Sequence, residues 1–233
     1  MKKCIILSLL SIVSILAMGQ SKIDGAWETK IEQGKLVMII ADNYMSAALY
    51  DLPGKKFIST HGGRITALTD KTMTLVTEFN SAVKEQVGTT MTMGINTANG
   101  KLAISYDGNT MELTRIDEGG KFLAGNWRIT QREQNGQLTP IHTTGARKTI
   151  KILSGTRFQW AAINTETGEF SGTGGGTYTL KDGIYTENIE FFSRDSSRVG
   201  MSLSFNGKLD KNDWYHSGKS SRGDPINEVW SRK

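Results

Sequence analysis

The chain repeats itself. Gly25-Ala26-Trp27 is matched by Gly125-Asn126-Trp127 at an offset of 100 residues, and further along the offset settles at 112. There Gly62-Gly63 falls on Gly174-Gly175, Leu68 on Leu180, Asp70 on Asp182, Glu78-Phe79 on Glu190-Phe191, and Val87-Gly88 on Val199-Gly200. Near the ends, Leu113-Thr114-Arg115 meets Trp230-Ser231-Arg232 at an offset of 117. An offset held over a long window marks a duplicated structural unit. The fold must therefore be one that roughly half of the chain can complete, twice.

The unit is built of strands. Thr89-Thr90-Met91-Thr92-Met93 and Met201-Ser202-Leu203-Ser204-Phe205 alternate polar and apolar side chains with period two, the pattern of a strand with one buried face. Asn99-Gly100, Asp107-Gly108, Asp182-Gly183 and Asn206-Gly207 are dipeptides suited to hairpin turns. No stretch sustains a helical period with caps. In the second copy, strands are expected to begin near Trp127, Thr149, Phe158, Gly172, Ile184, Gly200, Trp214 and Asn227. About eight short antiparallel strands per copy suit a closed barrel, because closure removes exposed edges. The reading is all-β: two tandem antiparallel up-and-down β-barrels, residues 20–118 and 119–233, joined at Asp117-Glu118-Gly119-Gly120. The step in offset from 100 to 112 implies about 12 additional residues in the second copy, over Gln131 to Arg147, which read as a long loop.

Residues 1–19 have the build of an export signal. Lys2 and Lys3 precede an apolar run, and Ala17-Met18-Gly19 offers a small-x-small cleavage site. The expected location is periplasmic or extracellular. The run is short for a bilayer span, and no later segment approaches the roughly 20 apolar residues one needs, so no transmembrane segment is expected. Cys4 is the only cysteine and would leave with the signal, so no disulfide or thiolate chemistry is available to the mature chain. The net charge of +5 is spread over scattered Lys and Arg interspersed with acids, which argues against nucleic acid as a partner.

Each copy opens with Gly-x-Trp and closes with a strand ending in Arg. This resembles the lipocalin pattern, in which an Arg of the last strand covers a first-strand Trp. The pairs would be Trp27 with Arg115 and Trp127 with Arg232, a cation–π closure of one barrel end. The second copy is similar to a lipocalin-like domain family of unknown function from secreted bacterial proteins. The carrying residues are Gly125-Asn126-Trp127, Phe158-Gln159-Trp160, Gly174-Gly175-Gly176-Thr177-Tyr178-Thr179, Gly183-Ile184-Tyr185-Thr186-Glu187, Trp214-Tyr215-His216-Ser217-Gly218 and Glu228-Val229-Trp230-Ser231-Arg232. The first copy lacks counterparts of Trp160, Tyr178 and Tyr185. The resemblance implies a calycin-type barrel with an interior pocket, and no reaction.

Comparing the copies orients the strands. Tyr185, Glu187, Ile189 and Phe191 share one face, which at the offset of 112 becomes Met73, Leu75, Thr77 and Phe79. That apolar face is expected to point inward, so Glu187 stands where the first copy has Leu75. A buried carboxylate needs a partner: a ligand, a water, a Tyr hydroxyl or His216. The same comparison points Phe158, Trp160, Tyr178, Leu180, Leu203 and Phe205 inward, with Trp214 and His216 sharing a face. An interior of Trp, Tyr, Glu and His is amphipathic, as small-molecule sites are. The first copy, filled by Met, Leu and Ala, reads as a plain core.

His61, His142 and His216 have no metal-like spacing, so no metal is expected. Gly172-Thr173-Gly174-Gly175-Gly176-Thr177 lacks the following helix that a phosphate loop requires. Adjacent His216 and Ser217 point to opposite faces of a strand and do not form a nucleophile–base pair. No catalytic residues and no cofactor are expected, and the chain reads as a non-enzyme. The expectation is a protein that holds a small amphipathic or apolar ligand in its second barrel, lined by Phe158, Trp160, Tyr178, Tyr185, Glu187, Phe205, Trp214 and His216. The alternative is a structural or protein-interaction module of the cell envelope with filled barrels.

Overall fold

The computed structural model describes residues 21–120 and 123–232. The expected export signal lies outside them. The first half of the chain folds as β1 (Gly25–Ile31), β2 (Gly34–Ala41), β3 (Tyr44–Asp51), β4 (Lys56–Leu68), β5 (Thr72–Asn80), β6 (Thr90–Ala98), β7 (Lys101–Tyr106) and β8 (Asn109–Asp117). These strands pair in sequence order, and β8 returns to β1 to close the barrel. The second half contains β9 (Gly125–Gln134), β10 (Gln137–Pro140), β11 (Arg147–Leu153), β12 (Arg157–Asn164), β13 (Phe170–Lys181), β14 (Ile184–Phe192), β15 (Ser202–Asp210), β16 (Asp213–Lys219) and β17 (Pro225–Arg232). Here β17 pairs back to β9, closing a second barrel of eight strands with β10 attached to β9. The protein is thus all-β, two closed eight-stranded antiparallel barrels in tandem. Among the described residues no helix is long and apolar enough to cross a membrane.

Two turn assignments differ from the sequence reading. The expected loop 131–147 is partly a hairpin, because Asn135 (φ 52°) and Gly136 (φ 79°) make a tight left-handed turn between β9 and β10. Conversely, Asn206-Gly207 is no turn. Gly207 lies inside β15, paired with His216, and the chain reverses at Lys211-Asn212 instead. The alternation simply continues through the glycine.

A third difference explains how the barrels meet. Gly62-Gly63 corresponds in space to Gly175-Gly176, an offset of 113, not to Gly174-Gly175. In β5 the pairing jumps across Glu78: Gly62 pairs with Phe79 and Gly63 with Thr77. In β14 it jumps across Glu190 in the same way, with Gly175 opposite Phe191 and Gly176 opposite Ile189. A second bulge at Thr66 of β4 absorbs the extra residue and restores the offset of 112 at Leu68. Each bulge sends two successive side chains outward, so Phe79 and Phe191 leave the inward face assigned from alternation alone. Phe192 turns inward in exchange and meets Trp160 at 5.5 Å.

Those outward residues build the contact between barrels, which is close to two-fold symmetric. Lys35 of β2 donates to Glu190 at 3.1 Å, and its counterpart Lys148 of β11 donates to Glu78 at 2.7 Å. Tyr50 also donates to Glu190. Phe79 packs with Ile39, Ala41 and Tyr44 of its own barrel and Ile150, Ile152, Ala161 and Ile163 of the other. Phe191 packs with Val37, Ala48 and Tyr50 across the junction. At the centre, Ser46 Oγ donates to Gln159 Oε1 at 2.6 Å, and Gln159 Nε2 donates to Thr60 and Thr173. Each barrel also braces the other's closed end. Asp42, in the β2–β3 turn, accepts from Asn126 N at 2.9 Å. Asp117 accepts from Ser154 Oγ, Gly155 N, Thr156 N and Thr156 Oγ1 in the β11–β12 turn.

The glycines of the bulges leave no room for a side chain. A Cβ on Gly63 would stand 2.0 Å from Val76 O, and one on Gly176 2.0 Å from Asn188 O. Gly63→Ala and Gly176→Ala should each lower stability by more than about 2 kcal/mol in urea denaturation, since the obstacle is backbone. Gly94→Ala, whose Cβ would meet nothing closer than 3.6 Å, should be neutral or slightly stabilising.

Candidate ligand site in the second barrel

The two interiors differ sharply. The first barrel is lined by Trp27, Met38, Ile40, Met45, Ala47, Met73, Leu75, Leu102 and Leu113, all buried and apolar. In the second barrel the equivalent positions turn polar or aromatic. Trp27 pairs with Met38, whereas Trp127 pairs with Lys151. Leu75 becomes Glu187, and the cross-strand pair Ile104–Met111 becomes His216–Glu228. Met73, Leu102 and Leu113 become Tyr185, Trp214 and Trp230.

Glu187 finds its partner inside the protein. Lys151 Nζ donates to Glu187 Oε1 at 2.7 Å, with both side chains nearly inaccessible at 5% and 7% exposure. The ammonium also lies 5.0–5.8 Å from the ring centroids of Trp230, Trp214, Tyr185 and Phe158. A buried pair of this kind is held by geometry; loss of either member strands a charge in a low-dielectric core. Lys151 escaped the sequence reading. Its signal was a lysine between Ile150 and Ile152, but those isoleucines face the other barrel, so Lys151 faces inward.

Glu228, also missed, links the interior to solvent. Its Oε1 accepts from Arg132 Nη2 at 3.0 Å, and its Oε2 accepts from Trp230 Nε1 at 3.1 Å. Arg132 and the cleft side of Glu228 border a recess of about 380 Å³, together with Ser220, Asp224 and Asn227. His216 Nδ1 stands 3.8 Å from Glu228 Oε2, beyond hydrogen-bond reach. Burial holds the His216 imidazole below its usual 6.5, against the opposing pull of Glu228. Larger recesses of about 420 and 700 Å³ flank the base of the first barrel beside Ser21 and Lys22, away from this constellation.

Of the expected lining residues, Phe158, Tyr178, Tyr185, Glu187, Phe205, Trp214 and His216 are buried in one interior. Tyr185 is the hub: its ring centroid lies 5.5 Å from Tyr178, 6.2 Å from Phe205, 4.9 Å from Trp214 and 5.7 Å from His216. The Phe205 and His216 ring centroids lie 4.1 Å apart with the rings tilted by 38°. Tyr178 Oη is already engaged, donating to Ser154 O at 2.7 Å. Trp160 stands apart, half-buried against Phe192.

Four polar atoms in this hub lie outside close hydrogen-bond geometry, Tyr185 Oη, Trp214 Nε1, His216 Nδ1 and His216 Nε2, with Glu187 beside Tyr185 and Glu228 beside His216 as acceptors at longer range. Glu187 is near enough to oppose ionisation of Tyr185, which burial already pushes well above 10, so the hydroxyl stays protonated. At the closed ends, the Arg115 guanidinium lies 3.9 Å from the Trp27 ring centroid and that of Arg232 4.7 Å from Trp127. Both indoles donate backward at 2.9 Å, to Ile23 O and Leu123 O, so each closure rests on the segment just before its first strand.

Residues 122–233 match a family described as a domain of unknown function (DUF4488), a stretch that takes in the whole second barrel. No curated protein matches the chain.

Two outcomes follow from the buried groups. Glu187→Leu and Lys151→Met should each cost about 3–5 kcal/mol in urea denaturation, while the double variant, which installs the first barrel's residues, should be neutral or more stable. His216 is neutral in the folded protein, and the unfolded chain takes the proton first, so its share of stability is lost as pH falls below about 6.5. His216→Ile should therefore flatten the decline in stability between pH 7.5 and pH 5, read from denaturation midpoints.

Proposed function

We propose that this chain is an exported, non-enzymatic binding protein whose second barrel, lipocalin-like in its closure, holds a small amphipathic ligand while the first barrel supports it. One observation carries the reading. All six buried side-chain polar atoms outside close hydrogen-bond geometry among the described residues belong to the second barrel, and four of them lie on Tyr185, Trp214 and His216, where Glu187 and Glu228 are the neighbouring acceptors. Buried polar groups are nearly always hydrogen-bonded, so such a concentration asks for a guest. The first barrel, with the same strand order and an interior of Met, Leu and Ile, has no such need. The cleft at Arg132 and Glu228 supplies an approach, since Glu228 contacts both it and Trp230. Among the described charged groups of the second barrel's interior, Lys151 and Glu187 neutralise each other, and Arg132 holds Glu228.

Native mass spectrometry of the chain purified from its own cell tests this. A reproducible small-molecule adduct is expected on the full chain. It should be absent from a variant carrying Lys151→Met, Glu187→Leu and His216→Ile. If no adduct appears and a broad compound panel leaves the melting temperature unchanged, the binding reading fails and a module with filled barrels stands in its place.

A further inference from the structure

Lys151 and Glu187 are placed as reactants as much as partners. Lys151 sits mid-way along β11, opposite Trp127 on one side and Trp160 on the other. Glu187 sits in β14, between Tyr178 and Leu203. These strands are not neighbours: β12 and β13 lie between them in the sheet, so the pair reaches across the barrel's interior. An amine and a carboxyl group are held in contact at 2.7 Å, their side chains 5% and 7% exposed, with four aromatic rings around the nitrogen. The first barrel has Met38 and Leu75 at these positions. The chain's one cysteine is Cys4, so neither barrel has a disulfide to brace it.

We propose that Lys151 and Glu187 condense, Nζ to Cδ, into an isopeptide bond that staples β11 to β14 through the second barrel. The step balances within the pair. One proton passes along the hydrogen bond from ammonium to carboxylate. The amine lone pair then forms the Nζ–Cδ bond, the Cδ–OH bond breaks, and the departing hydroxyl takes a second proton from the nitrogen. One water leaves, the third proton stays on the amide, and no other reagent takes part.

Three features favour closure. Hydration opposes condensation of such a pair in water, whereas here the surroundings are aromatic and the reaction removes two buried charges. The fold holds nucleophile and electrophile together, which replaces a bimolecular encounter. The Tyr185 hydroxyl, kept protonated by burial and by Glu187, lies beside the carboxyl group and can donate to the oxygen that gains charge as Nζ attacks. The first barrel has Met73 in its place. The inference is independent of any ligand.

Intact-mass spectrometry of the full chain, denatured after incubation in its folded form, tests this. The mass should fall by one water with time, and proteolysis should release a branched peptide joining the Lys151 and Glu187 segments. Glu187→Gln should give the same branched peptide with loss of ammonia in place of water, because the product is chemically identical. Lys151→Arg should give none. Tyr185→Phe should slow closure at least about tenfold. Chain that has lost water should unfold at higher urea than the Lys151→Met/Glu187→Leu variant, and chain still in the ionic form should not. An unchanged mass after prolonged incubation, with native circular dichroism, would overturn the proposal. So would a water loss that maps to any other residues. Closure of Tyr185→Phe at the unsubstituted rate would overturn the part assigned to Tyr185 alone. The mass of the unsubstituted chain decides the central claim, whether or not any variant folds.

Discussion

The architecture depends on one steric fact, that Gly63 and Gly176 each lie against a neighbouring strand's carbonyl at a distance no Cβ could share. That contact lets β5 and β14 carry one extra residue each. Strict alternation would have sent Glu78 outward and Phe79 inward, and likewise Glu190 and Phe191. The bulge turns both members of each pair outward together. An acid and an aromatic then project side by side from each barrel, and the acid is met by a lysine of the other. Because both barrels use the same device, the contact is isologous, as in a symmetric dimer whose halves share one chain.

The duplicated fold sets two different interiors on one strand order. Both barrels share strand order, bulge, tryptophan closure and a short 3-10 turn before the sixth barrel strand, at Lys84–Gln86 and Ser196–Arg198. Shared features are what closing and pairing the barrels requires. The differences lie on the interior face of the second barrel, where Lys151, Glu187, His216, Glu228 and Gly207 replace aliphatic side chains. A barrel needs none of these to fold, as the first demonstrates. Charged and polar groups in a core oppose stability unless paired, as Lys151 is by Glu187 and Glu228 by Arg132.

Much of this was legible in residues alone. Period-two alternation and glycine turns suffice for the barrels, and the repeat suffices to place Glu187, Tyr185 and His216 inside, because a strand's two faces are distinguished by whichever copy is less ambiguous. What alternation could not deliver were its own interruptions. The bulge at Glu190 reverses every face beyond it, so Phe191 and Phe192 exchange roles. The opposite error occurred at Asn206-Gly207, where a good turn dipeptide sits mid-strand because the hydrophobic pattern runs on to Asp210. Lys151 stayed hidden for a third reason. Both faces of β11 are buried, one in the barrel and one against its neighbour, and a strand buried on both sides has no alternation to read.

The interface and the interior are joined by one strand. Along β14, Tyr185, Glu187 and Ile189 point into the second barrel, and Glu190 and Phe191 are gripped by Lys35, Tyr50, Val37 and Ala48 of the first. The residues of the hub are therefore set by backbone that the first barrel helps to fix. Arg157 adds a second hold, donating to Glu190 at 2.8 Å from the strand that carries Phe158. A hub of buried polar groups would favour local rearrangement if its strands could shift register. Clamping β14 from outside at the bulge keeps those groups in position. The first barrel thus helps to position the hub although it contributes no side chain to it.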